Sequence, residues 1–174
     1  MSSAGALALP LALMVGVVPA RAQVTRTDVL VAARAIGFIS KFGQGDLRVG
    51  IVVAPESAPS VQEGNQLKAI FGAELAIGDN VLKPVMLRSD QVANADVMLF
   101  FLTEGAGAAG SSVTSASKLR KIPCITFDLA QVKSGACTIG VQSQPKIEIF
   151  VNRKAAAESN TVFSSVFRLM ITEY

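Results

Sequence analysis

The 174-residue chain has no histidine, no tryptophan and only two cysteines. Without an imidazole, Ser-His-Asp and Cys-His catalysis are excluded, and so is a zinc site that relies on histidine. The aspartates do not follow the spacing of a calcium-binding loop, and the serines at residues 111–117 lack a base that would activate them. We therefore expect a protein that is not an enzyme and that uses no metal ion or cofactor.

The chain also has little net charge and no block of like charges. Its 16 Lys and Arg residues oppose 13 Asp and Glu residues, which gives a formal net charge of +3. Such a balance provides no electrostatic footprint for nucleic acid. Apolar residues make up 51% of the sequence, and no linker divides it. Residues 23–174 are enough to bury a sizeable core, and we expect them to form a single domain.

Residues 1–22 have the features of an export signal. Residues 4–18 are almost entirely apolar, and the small-x-small triplet Ala20-Arg21-Ala22 predicts cleavage before Gln23. The apolar run is shorter than the roughly 20 residues that a stable membrane anchor requires. No Lys or Arg precedes the run, so an uncleaved anchor is the alternative. Cleavage would release a mature periplasmic protein with no segment inserted in the membrane.

Predicted strands alternate with predicted helices along the mature chain, which indicates an α/β fold. We expect a mainly parallel central sheet of about five to six strands with helices on both faces, followed by a C-terminal β-hairpin and helix. An apolar stripe on that last helix predicts core packing, with partner docking as the alternative; it consists of Val162, Phe163, Val166, Phe167 and Met170. Strands are expected at residues 47–53, 81–87, 97–102, 122–127, 136–142 and 146–151, and helices at residues 25–42, 57–71, toward 118–120 and from 153 onward.

The two cysteines, Cys124 and Cys137, each lie near the start of a predicted strand. Neighbouring parallel strands would bring them together, and an even count in an oxidising compartment favours a disulfide. Closing such a short loop would add about 3 kcal/mol of stability. Two buried free thiols are the alternative, and a redox-sensing role would also depend on this pair.

A glycine motif follows the third predicted strand. Gly105, Gly107 and Gly110 match the G-x-G-x-x-G pattern of dinucleotide-binding loops, and Asp128 stands about 20 residues further on, where a ribose-binding acid is expected. However, the motif does not follow the first strand, and Glu104 would repel a pyrophosphate. We therefore interpret these residues as a flexible loop at the strand ends, where an open α/β sheet binds small ligands.

The first predicted helix carries apolar residues on nearly its whole circumference, more than one sheet face can cover. Val31, Phe38 and Phe42 belong to this set. We expect them to contribute to a surface that is buried by a protein partner or by a second subunit in a homodimer.

The order of these elements, together with several short stretches, resembles the YfiR-like family of periplasmic regulators. The stretch Gly37-Phe38-Ile39-Ser40-Lys41-Phe42, before a Leu-Arg-Val-Gly-Ile-Val-Val strand, is similar to the family's opening helix and first strand. Further on, Gly135-Ala136-Cys137-Thr138-Ile139-Gly140-Val141 resembles the start of its final hairpin. The other matching stretches are residues 95–100, 146–152 and 164–169, and the pattern covers nearly all of residues 27–170.

The resemblance implies a periplasmic repressor that restrains an inner-membrane diguanylate cyclase through the periplasmic sensor domain of that enzyme. Release of the cyclase would raise cyclic-di-GMP, and with it exopolysaccharide and biofilm formation. The alternative is a small-molecule binding module that uses the loops at the C-terminal ends of the strands. Solute receptors of that type usually enclose the ligand between two lobes, and this chain is long enough for one.

Overall fold

The computed structural model describes residues 23–174, so the predicted export signal at residues 1–22 lies outside the described part. Within that part, no helix combines the length and the apolar character needed to cross a bilayer. The helices are α1 (Arg26–Ile36), α2 (Ala58–Phe71), α3 (Ala108–Arg120), α4 (Leu129–Lys133), α5 (Arg153–Glu158) and α6 (Ser165–Arg168). The strands are β1 (Gly45–Val53), β2 (Leu75–Ile77), β3 (Asn80–Arg88), β4 (Leu99–Leu102), β5 (Cys124–Thr126), β6 (Ile139–Gln142), β7 (Glu148–Val151) and β8 (Ile171–Glu173).

All eight strands form one sheet in the order β2-β3-β1-β4-β5-β6-β7-β8. The inner strands β3, β1, β4, β5 and β6 run parallel, as the alternation of strands and helices requires. Strand β7 pairs antiparallel with β6, which confirms the predicted hairpin. The predicted fold class is therefore confirmed, and the short strands β2 and β8 extend the sheet beyond the predicted size.

Helices cover both faces of the sheet. Strand β1 has apolar side chains on both faces. Val49 and Ile51 point into an apolar cluster shared with α1, α2 and the C-terminal segment. Val52 points into a second cluster, shared with α3 and the two cysteines. Because successive side chains of a strand alternate between faces, a strand that is covered on both faces has an almost unbroken apolar sequence.

Helix α1 begins with the predicted capping box but ends early. Thr25 Oγ1 accepts a hydrogen bond from Asp28 N (3.2 Å), and Asp28 Oδ2 accepts one from Thr25 N (2.7 Å). The helix ends at Ile36, so the prediction that it continues to residue 42 is wrong. The physical reason is a competing partner, because Phe38 O accepts a hydrogen bond from Ser164 N (3.0 Å) in the C-terminal segment.

The single long C-terminal helix predicted from residue 153 is also wrong. Asn160 adopts a left-handed conformation (φ 50°), and this ends α5. Phe163 then forms a β-bridge with Ile39, before the short helix α6 and strand β8. Of the predicted apolar stripe, only Phe163 and Phe167 are buried.

The predicted disulfide between Cys124 and Cys137 is confirmed. Their Cα atoms are 5.0 Å apart, and both residues are buried. The bond joins the start of β5 to the turn before β6, where Thr138 N also donates a hydrogen bond to Cys124 O (3.2 Å). The alternative of two free thiols is thereby excluded, and the burial of both cysteines weakens the redox-sensing interpretation.

Candidate binding sites

The structure covers part of the surface that was expected to bind a partner. Val31 is only 8% exposed and belongs to the main apolar cluster, so its assignment to a partner surface is wrong: the core of the same chain buries it. Phe38 and Phe42 are half-buried and pack against the same cluster. Their contribution to a partner or dimer surface stays a prediction.

A different apolar surface lies in the C-terminal segment. Four large apolar side chains between residues 162 and 170 are exposed: Val162 (49%), Val166 (62%), Leu169 (88%) and Met170 (54%). We call these four residues the C-terminal apolar patch. The helical periodicity of the sequence predicts that Val162, Val166 and Met170 are core residues, and this prediction is wrong because all three are exposed. Single exposed apolar side chains are ordinary, whereas contiguous groups of them often belong to interaction surfaces.

Main-chain hydrogen bonds hold the patch beside the loop that follows α1. Ser40 N donates to Val162 O (2.9 Å), and Ser164 N donates to Phe38 O (3.0 Å). Beneath the patch, Phe167 is fully buried and stacks on Phe38, with ring centroids 4.9 Å apart. The half-buried Phe38 therefore lies next to the patch and belongs to the same face of the molecule.

The strand order reverses between β1 and β4. At the crevice formed there, the polar groups form hydrogen bonds with one another. Ligands of open α/β sheets commonly bind at this position. Here, Thr103 Oγ1 donates to Val52 O (2.8 Å) and accepts from Ser60 Oγ (2.5 Å). Ser60 Oγ in turn accepts from Ala54 N (2.8 Å). These buried hydroxyls connect β1, α2 and β4, and they are not directed toward a ligand.

An open cavity of about 420 Å³ lies one strand further along, beside the ends of β4 and β5. We call it the strand-end cavity. Its lining includes the acidic residues Glu63, Glu104 and Asp128 and the aromatic residue Phe127. Glu63 Oε2 accepts a hydrogen bond from Glu104 N (2.7 Å), which fixes α2 against the loop after β4. The lining favours a ligand that combines a positive charge with an apolar part.

The glycine motif and Asp128 do not form one site. Gly107 precedes the first turn of α3, and Gly110 is buried within that helix. At Gly105 (φ 62°), a side chain would collide with the start of α2. Asp128 uses its carboxylate to cap α4. Gly107 and Gly110 line a cavity between α3 and α5, whereas Asp128 lines the strand-end cavity. The arrangement of a dinucleotide site is therefore not formed.

The patch and the strand-end cavity offer noncovalent contacts. The patch provides apolar area, and the cavity provides negative charge beside an aromatic ring. Across residues 23–174, no three His, Cys, Asp or Glu side chains are arranged to hold a metal ion. Both regions are suited to recognition.

Comparison with known proteins identifies relatives by fold alone. No family model matches the chain, and no curated protein matches its sequence. A conserved domain protein from Vibrio cholerae O1 biovar El Tor strain N16961 is similar in structure, with a TM-score of 0.55 and 15% identity over 83% of this chain and 59% of that one. An ABC domain from Streptococcus pneumonia in complex with L-Trp has a TM-score of 0.57 and 11% identity over 85% of this chain. The chain again spans 59% of that protein's length, so at these identities the likeness shows a shared α/β fold and nothing more.

Proposed function

We propose that the chain is a non-catalytic regulatory protein that docks the C-terminal apolar patch onto a partner protein. The observation that carries this proposal is the contrast between two neighbouring residues, because Leu169 is 88% exposed while Phe167 is fully buried. The segment is held in place by its buried aromatic ring and by main-chain hydrogen bonds. Its apolar side chains are thus presented on an ordered surface, which lowers the entropic cost of binding.

The patch contains enough apolar surface to contribute measurably to an interface. Complete burial of a Val, Leu or Met side chain is worth about 1.5–3 kcal/mol. Leu169 is almost wholly exposed and Val166 is 62% exposed, so most of this gain is still available to a partner. A few such side chains dominate the affinity of most interfaces.

The resemblance to the YfiR-like family suggests the kind of partner. We propose that the chain is exported to the periplasm, where it restrains an inner-membrane diguanylate cyclase by contact with the periplasmic domain of that enzyme. The buried disulfide between Cys124 and Cys137 supports an oxidising compartment. In this arrangement the chain would control cyclic-di-GMP without catalysing a reaction itself.

A double substitution in the patch, with a matched control, tests the proposal. The test variant is Val166→Glu with Leu169→Glu, and the control is Leu119→Glu with Ile147→Glu. The control residues are 84% and 60% exposed, against 88% for Leu169 and 62% for Val166, so the added charge and the starting exposure agree. Each tagged chain is cross-linked in native membranes and purified, and the captured proteins are identified by mass spectrometry.

We expect the wild type and the control to capture an inner-membrane protein that has both a periplasmic domain and a diguanylate cyclase domain. The patch variant should lose this protein. When the captured cyclase is co-expressed with each chain, cyclic-di-GMP should stay low with the wild type and the control and rise with the patch variant. Equal capture by the patch variant and the control would show that the patch is not the docking surface. Capture of no cyclase by any chain would contradict the partner assignment.

A second candidate function is supported by the strand-end cavity. Its three carboxylates and Phe127 would suit a small ligand with an ammonium group and an aromatic part. The structural neighbour from Streptococcus pneumonia was solved with L-Trp, and this amino acid has both features. We therefore propose aromatic amines as the ligand class for this alternative, including aromatic amino acids whose carboxylate points out of the open cavity, since none of the described residues that line it is Lys or Arg.

A thermal shift experiment separates the two candidates, because a ligand that binds only the folded state raises the melting temperature. L-tryptophan is the probe, and N-acetyl-L-tryptophan is its control because it has the same ring without the ammonium group. A rise with L-tryptophan alone that is lost in Glu104→Gln would support the ligand-binding function. The same melting temperature with and without L-tryptophan would contradict it.

A further inference from the structure

A second large cavity, distinct from the patch and from the strand-end cavity, contains three lysines. It has a volume of about 630 Å³ and lies between α3, α5 and the turn that joins α4 to β6. Lys118 comes from α3, Lys133 from α4 and Lys154 from α5. We call it the lysine cavity. Cations from three separate elements converge on it, which a solvated charge run along a single helix would not produce.

Two of the three lysines carry uncompensated charge. Lys118 Nζ forms an ion pair with Glu158 Oε2 (3.1 Å), so its charge is balanced within the cavity. Lys133 and Lys154 make no ion pair with any residue in the range 23–174. Lys133 Nζ instead lies 5.6 Å from the centre of the Tyr174 ring, which also lines the cavity. Counted over side chains alone, the lining therefore has two positive charges more than negative ones.

The elements that carry these lysines are fixed in the fold. The disulfide closes residues 124–137, which include α4 and therefore Lys133. Asn152 caps α5, the helix of Lys154, by accepting a hydrogen bond from Ala155 N (2.9 Å). It also connects α5 to α4, because its Nδ2 donates to Val132 O (2.8 Å). The two helices are thus tied to each other on one side of the cavity.

We propose that the lysine cavity binds a small ligand through a phosphate group held between Lys133 and Lys154. A phosphate monoester carries a charge of about −1.5 to −2 at neutral pH, which matches the two uncompensated cations. Lysine is a common phosphate ligand in proteins. The volume is in the range of small-molecule sites and exceeds what a free phosphate ion needs, so the ligand class extends from inorganic phosphate to small phosphate monoesters.

The composition of the chain provides a reporter for this cavity. Tyr174 is the single tyrosine and there is no tryptophan, so the intrinsic fluorescence of the protein comes from a residue that lines the proposed site. The protein is titrated with inorganic phosphate and, separately, with glycerol 3-phosphate, against sodium chloride at the same ionic strength. We expect a saturable change in tyrosine emission with phosphate and none with chloride.

Two double variants that remove the same charge at different places test which lysines bind the phosphate. In Lys133→Gln with Lys154→Gln, we expect the dissociation constant to rise at least about tenfold, which corresponds to about 1.4 kcal/mol. The control is Lys83→Gln with Lys146→Gln, which removes the same charge from two lysines that are ion-paired elsewhere. It should bind like the wild type. Lys154→Gln alone should also weaken phosphate binding. It replaces the double variant in the test if circular dichroism shows that the double variant does not fold.

The titrations distinguish the possible ligands and can also overturn the proposal. Tighter binding of glycerol 3-phosphate than of inorganic phosphate would assign the cavity to phosphate monoesters, and the reverse order would assign it to free phosphate. No saturable change in the wild type would overturn the proposal, as would equal losses in the test and control variants, since only the overall charge would then matter. None of these results depends on the C-terminal apolar patch.

Discussion

Replacing Phe167 by alanine should destabilise the protein strongly, while replacing its neighbour Val166 should not. Phe167 is fully buried, and its ring lies 4.9 Å from that of Phe38 and 5.2 Å from that of Phe163, measured between centroids. Removing a fully buried Phe ring typically costs about 3–5 kcal/mol, because transfer free energy is lost and a cavity remains. A domain has only about 5–15 kcal/mol of stability in total. Val166 is 62% exposed, so Val166→Ala should change stability by no more than about 0.5 kcal/mol.

Equilibrium unfolding in urea, followed by far-ultraviolet circular dichroism, measures both variants against the wild type. The midpoint should fall markedly for Phe167→Ala and stay nearly constant for Val166→Ala, with similar slopes for all three proteins. A cost below about 1 kcal/mol for Phe167→Ala would show that the ring is not a core residue. Equal losses in the two variants would show that the segment does not separate a buried face from an exposed one, and the docking proposal would fail with it.

Substitutions at three further places test the fold. Replacing both Cys124 and Cys137 by alanine should lower the free energy of unfolding by about 3 kcal/mol, because the closed loop is short; a loss below about 1 kcal/mol in urea unfolding would contradict this entropic reasoning. Gly140→Ala should lower the free energy of unfolding by about 1–3 kcal/mol through overpacking, because the added Cβ would lie 2.6 Å from Val132 Cγ2. An unchanged melting temperature would contradict this and show that α4 can move away. Thr25→Ala removes a helix cap and should cost about 1 kcal/mol, whereas Thr25→Ser, which keeps the hydroxyl, should retain most of the stability in the same assay.

The sequence predicted those elements of the fold whose signals are local. Thr25 and Asp28 are spaced for a capping box, and the apolar runs around Val52 are long enough to indicate buried strands. The disulfide could be predicted because each cysteine adjoins a strand and the two strands are neighbours. In each case the pattern depends on residues that are close in the chain, or on pairing between consecutive strands.

The elements that the sequence did not predict depend on distant contacts. The strands β2 and β8 are three residues long, and each is formed by pairing with a longer strand. The apolar spacing from Val162 to Met170 has a helical period, yet Asn160 ends the helix before this segment and the bridge between Ile39 and Phe163 interrupts it. Periodicity cannot show that a strip of apolar side chains is exposed, so the patch was mistaken for core.

The candidate sites were the hardest to predict, for a related reason. Asp128 lies just beyond a strand end, as expected, but its carboxylate caps α4, and Gly107 and Gly110 line a different cavity. Lys133 and Lys154 are 21 positions apart in the sequence and line one cavity because β6 and β7 bring α5 back beside α4. A cavity formed by three separate helices leaves no spacing signal in the chain.

The strand order also determines how the molecule can assemble as the chain emerges during synthesis. After β4, each new strand adds to the edge that the preceding strand has just formed, so the sheet grows outward in chain order. The contact of Phe163 and Phe167 with the loop after α1 is made only when the last residues arrive. Until then Phe38 lacks its stacking partner Phe167, and a chain truncated before residue 163 would leave more of that aromatic ring exposed to chaperones and proteases.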